Sequence, residues 1–114
     1  MQYTHAATIT PKAGQMRDFL RKIETDLLPI ARHESGFVAY TVAKAGESSA
    51  VSIAIWQTRD QAERSMKSFD KWIKENSGQL VASAQGHVGE LPFFALTSDP
   101  KTYASQAPVA GART

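Results

Sequence analysis

Apolar and polar positions along this chain alternate between two kinds of pattern. Residues 3–10, 37–43 and 50–56 are uncharged runs built from alanine, threonine, valine, isoleucine and aromatic residues, and they read as strands. Between the first two, Met16, Phe19, Leu20, Ile23, Leu27 and Ile30 recur every three or four residues, which places them on one helical face. Thr10-Pro11 reads as the start of that helix, with threonine as cap and proline at the first helical position. Pro29 predicts a kink or an end one residue earlier, and Ser35-Gly36 closes the segment.

Lys44-Ala45-Gly46-Glu47-Ser48-Ser49 has turn composition and joins the second and third runs into a hairpin. Thr58-Arg59-Asp60-Gln61 has the form of a capping box. The helix after it carries Ala62, Met66, Phe69 and Ile73 on one face with Trp72 beside them. Asn76-Ser77-Gly78 is its stop, glycine being able to take the left-handed conformation. Residues 81–96 are extended but interrupted by Gly86, Gly89 and Pro92, which predicts a bulged or broken strand. The order is β-α-β-β-α-β. It predicts an α+β, ferredoxin-like fold with an antiparallel four-stranded sheet and two helices on one face. Residues 1–96 form this domain, and residues 97–114, rich in alanine, serine, proline and glycine, read as an arm or a disordered tail.

Charge sharpens this picture. Ten of the 13 basic residues fall in the two helical segments: Lys12, Arg17, Arg21, Lys22, Arg32, Arg59, Arg64, Lys67, Lys71 and Lys74. Eight of the 11 acidic residues join them: Asp18, Glu24, Asp26, Glu34, Asp60, Glu63, Asp70 and Glu75. The first three strands carry no charge and the fourth only Glu90. A sheet with one wet face should alternate polar and apolar residues, whereas Val51-Ser52-Ile53-Ala54-Ile55-Trp56 is small or apolar on both sides. Two helices cover one face. A second copy of the sheet is the simplest cover for the other, so a homodimer is expected.

With 114 residues, 42% hydrophobic and 21% charged, the chain suits one domain. A net charge of +2, without basic clusters interleaved with aromatics, argues against nucleic-acid binding. The absence of cysteine excludes disulfides, thiolate metal sites and cysteine nucleophiles. No apolar run approaches the roughly 18 residues of a membrane span and no leader is evident, so no membrane role is expected and the cytoplasm is the expected location.

Gly36-Phe37-Val38-Ala39-Tyr40, Ile55-Trp56-Gln57 and the helix from Arg59 to Phe69 resemble the second strand, the third-strand tryptophan and the second helix of the antibiotic biosynthesis monooxygenase-like family. That family lies within the dimeric α+β barrel superfamily. The resemblance spans residues 2–96. It implies a dimeric barrel and, among the family's activities, cofactor-free oxygenation of aromatic polyketides. Two departures stand out. The family often carries a histidine early in the second helix, where this chain has Ser65. Haem-degrading members use a first-strand asparagine with that histidine, and this chain has neither.

Five residues are candidates for chemistry. His5 shares strand parity with Tyr3, Ala7 and Ile9, and histidine is the usual proton-transfer group near neutral pH. His87 lies in the glycine-flanked stretch Gln85-Gly86-His87-Val88-Gly89, where the backbone can admit a ligand or a bulge. Both are candidate catalytic bases. Trp56, at a strand end, could stack on an aromatic substrate or simply fill the core under a helix. Tyr40 matches the family tyrosine, or packs at a subunit interface. Arg59, in the first turn of the second helix, could face an acidic ligand. Three scattered histidines make no metal site, and His33 reads as a solvated helix-end residue. The function expected is therefore a cofactor-independent oxygenase acting on a small aromatic substrate of polyketide or quinol type. The alternative is a non-catalytic dimer binding a small apolar or aromatic ligand or a partner protein.

Overall fold

The computed structural model describes residues 1–95, so the arm or disordered tail expected over residues 97–114 lies outside the described residues. Strands β1 (Gln2–Pro11), β2 (Phe37–Ala45), β3 (Ser49–Trp56) and β4 (Val81–Leu91) form one antiparallel sheet in the order β2-β3-β1-β4. The first helical segment comprises α1 (Met16–Lys22), a π-helical turn (Ile23–Leu27) and α2 (Leu28–Arg32). The second comprises α3 (Arg59–Trp72) and a further π-helical turn (Ile73–Ser77). This is the ferredoxin-like arrangement expected, with the core between helices and sheet. None of the described helices is long and apolar enough to cross a membrane.

Register fixes which side chains meet the helices. His5 pairs with Ala54, Ala7 with Ser52 and Ile9 with Ala50, and all six are buried on the helix side. Ala6, Thr8, Val51 and Ile53 alternate onto the opposite face. On that face His87 stands beside its β1 partner Ala6. The strand β2 runs past the expected end to include Lys44, whose ammonium pairs with Glu47 across the turn at 3.0 Å.

Three local expectations change. Thr10 and Pro11 belong to β1, not to a helix start. Thr10 pairs with Ser83 and Pro11 with Val81, so Ala82 bulges, and the Lys12 N–H donates to the Leu80 carbonyl at 2.8 Å. Proline at a strand end gives up no ladder bond there, and α1 begins only at Met16, after a turn through Gly14. Pro29 does not end its helix. The π-helical turn absorbs it: the Leu28 N–H reaches back to Ile23, and Pro29 falls in the first turn of α2, where its missing N–H is not needed. Gly78 is right-handed (φ −59°), so the second helical segment ends without a left-handed glycine.

The capping box is formed as expected, with the Gln61 N–H donating to Thr58 Oγ1 at 3.2 Å and the Thr58 N–H donating to Gln61 Oε1 at 3.1 Å. Strand β4 carries the expected bulge, at Ala82 and not at its glycines, and then runs unbroken to Leu91, with Gly86 opposite Ala7 and Gly89 opposite Thr4. Gly36 carries a positive φ of 84°, and a Cβ there would fall on the Gln61 side-chain amide. Gly36→Ala is therefore expected to cost about 2–3 kcal/mol, from left-handed strain and the displaced cap. The urea midpoint measures it; an unchanged midpoint would show that Gln61 moves aside freely.

Candidate functional site

A cavity of about 320 Å³ opens between the sheet and the two helical segments. Its floor is His5 from β1, Tyr40 from β2, and Ser52, Ala54 and Trp56 from β3. One wall is α3, through Gln61, Arg64, Ser65, Lys67, Ser68 and Phe69. The other runs from Leu27 to Ser35 and includes Glu34. The size falls in the range of small-molecule sites.

Strand parity puts His5 on this floor, and its ring is boxed in. Its Nδ1 lies 3.1 Å from Ser65 Oγ, and Phe69 meets it edge to face at 5.6 Å. Gly86 lies on the far side, where a Cβ would come within 3.1 Å of His5 Nε2. The residue is 3% exposed. Burial holds its pKa below the ordinary 6.5, and the Asp70 carboxylate only partly offsets this. The imidazole is therefore neutral at pH 7, and its hydrogen bond to Ser65 couples it to a hydroxyl on the cavity wall.

Tyr40, Ser52 and Trp56 supply the remaining polar side chains of the floor. Burial pushes the Tyr40 phenol up to about 12, and the adjacent Ser52 hydroxyl works in the other direction without forming a well-aligned hydrogen bond. Trp56 is 4% exposed and stands edge to face with Phe37 at 5.6 Å, so it serves as core and cavity floor at once. The Tyr40 O–H and the Trp56 Nε1–H are both buried without a partner among the described residues. Buried donors are as a rule paired, and an acceptor placed in the cavity would pair these two.

Two sequence candidates fall elsewhere. His87 is exposed on the opposite face of the sheet, so it and His5 are separated by the sheet itself. The Arg59 guanidinium lies over the Tyr3 ring, 5.1 Å from its centre, and does not line the cavity. Ser65, Ser52, Gln61, Arg64, Lys67 and Glu34 were not singled out by the sequence for the site. For Ser65 a signal existed, since it occupies the family's helix-histidine position. Among the described residues no three histidine or carboxylate side chains are grouped to hold a metal.

Residues 2–75 match the sequence profile of the antibiotic biosynthesis monooxygenase family. The chain belongs to that family. No curated protein is detectably similar in sequence. Solved structures share the fold at low identity. NE2512, a protein of unknown function from Nitrosomonas europaea, is 20% identical with a TM-score of 0.69, the match covering 86% of this chain and 96% of that one. SnoaB, a cofactor-independent oxygenase from Streptomyces nogalater, is 15% identical with a TM-score of 0.63, over 82% and 95% of the two chains. PA3566 from Pseudomonas aeruginosa is 20% identical with a TM-score of 0.60, also over 82% and 95%. At these identities the family member and its neighbours share a fold, and the chemistry must be argued from the cavity.

Proposed function

We propose that this family member is a cofactor-independent monooxygenase acting on a small aromatic substrate of quinol or polyketide type, as a cytoplasmic homodimer. The observation that carries the reading is the cavity floor. A neutral histidine coupled to a serine hydroxyl adjoins two buried donors that lack acceptors. Two titratable side chains, His5 and Tyr40, lie on that floor with the Ser65 hydroxyl beside the imidazole, and proton transfer needs such groups.

The substrate, for example an anthrone, loses a proton from its ring methylene to Ser65 Oγ as the Ser65 proton passes to His5 Nδ1. The tyrosine and tryptophan donors stabilise the charge that builds on the substrate oxygen. The resulting carbanion gives its electrons to dioxygen, a C–O bond forms, and the peroxide takes the proton back from His5. The hydroperoxide then loses water and leaves a ketone, so that one methylene and one dioxygen become one carbonyl and one water. The electrons come from the substrate, and the reaction calls on no cofactor.

Oxygen uptake with a panel of quinols and anthrones tests this. One ketone should form per dioxygen consumed, and Trp56→Phe should weaken substrate binding about three- to tenfold through its lost donor. Uptake no faster than in buffer would overturn the activity.

The dimer is supported by the uncharged sheet face, where Ile53 and Val51 are only half-buried in one protomer. Sedimentation should give about twice 12.4 kDa. Ile53→Glu, which places a charge at the centre of that face, should give the single mass. A wild-type protein that sediments as one chain at micromolar concentration would rule the dimer out.

A further inference from the structure

The cavity is graded in charge from base to mouth. Trp56, with its unpartnered N–H, is buried at the floor, whereas Arg64 and Lys67, three residues apart on α3, are exposed where the cavity meets water. Neither cation lies within ion-pair distance of a carboxylate among the described residues. The two ion pairs there, Lys22 with Asp26 and Lys44 with Glu47, are elsewhere. Glu34 is the one anionic side chain on the lining, so two cations face one carboxylate and the mouth carries an excess of +1. Other charged residues of α3, among them Asp60, Glu63 and Lys71, do not line the cavity.

We propose that the ligand is an anionic aromatic compound. Its ring oxygen faces the Trp56 and Tyr40 donors inside, and a carboxylate at its outer end is read by Arg64 and Lys67 as specificity-determining residues. This deepens the reading above and rests on it, since it presumes that an aromatic ring enters the cavity. A bicyclic ring fits within about 320 Å³, and an acid on the ring edge then reaches the rim without desolvating. The guanidinium can hold that carboxylate through two parallel hydrogen bonds while the lysine adds a point charge.

Titration calorimetry of the full chain with 6-hydroxy-2-naphthoate, whose oxygen and carboxylate lie at opposite ends of the ring, and with the neutral 6-hydroxy-2-naphthamide tests this. The acid should bind on the order of tenfold tighter than the amide at low salt, the size expected for two partly exposed charge pairs. That advantage should shrink as salt is raised. Arg64→Gln with Lys67→Gln should abolish it, the acid then binding no tighter than the amide to the same variant. Lys71→Gln, on the same helix but away from the cavity, should preserve it. Equal affinity for acid and amide in the wild type would overturn the anionic ligand and leave the aromatic reading standing, as would an advantage untouched by the double substitution. Failure of both compounds to bind would overturn the aromatic reading and this inference together.

Discussion

His5→Gln is expected to cut substrate-dependent oxygen uptake by roughly 10²–10⁴-fold, the usual contribution of a positioned proton-transfer group. Glutamine keeps a polar side chain of similar reach, so Ser65 retains a partner while the basic nitrogen is lost. Ser65→Ala should give a smaller loss, because a water could connect the substrate to the imidazole. The pH profile separates a chemical role from a structural one. Burial holds the His5 pKa below 6.5 in the folded chain, so wild-type kcat/KM should fall on acidification with a midpoint below 6.5. That limb should vanish in His5→Gln. If the variant retains the limb, or turns over like wild type, His5 is not the base.

The same shift sets a stability trend. The unfolded chain takes up a proton on this histidine near the ordinary 6.5, and the folded chain resists until lower pH. Between those values the unfolded state binds more protons, so stability is full above about 6.5. It declines as pH falls through that window and levels off below the folded value. Removing the imidazole should remove that part of the acid sensitivity.

Much of the architecture was legible because local signals agreed with tertiary ones. Threonine and glutamine three apart gave the capping box at Thr58, and strand parity grouped His5 with Tyr3, Ala7 and Ile9 on one face, the face that the structure turns toward the helices. Where the reading failed, a signal with two meanings was resolved by distant partners. Thr10-Pro11 suits a helix start or a strand end, and only the pairing with Ser83 and Val81 decides between them. The glycines around His87 suggested room for a ligand beside that residue. The room at Gly86 is instead filled by the His5 imidazole and Met66. Glycine shows that space is needed on one side of a strand, not what occupies it. The cavity rim was hidden for a similar reason: Arg64 and Lys67 look like any solvated helix charges until the facing wall is in place.

The larger buried cluster lies beside the cavity and meets it at Phe69, and Phe19→Ala should expose how the two differ. Phe19 is fully buried at the α1 end of the layer, in the cluster that contains Ala7, Ile9, Ile23, Phe69, Trp72 and Val81. Truncation there removes an aromatic ring from inside that cluster and leaves a cavity in its place. It should cost about 3–5 kcal/mol and lower Tm by roughly 12–20 °C. Against a typical total of about 5–15 kcal/mol this leaves the domain marginal. Leu28, half-buried on the cavity wall, already borders open space, so Leu28→Ala should cost only about 1 kcal/mol while altering substrate KM. The contrast follows from packing: a side chain pressed on all sides loses contacts that a wall residue never had. Parallel thermal melts of the two variants measure it. Equal losses would mean that stability is spread evenly along the layer and that the cavity end helps hold the fold together.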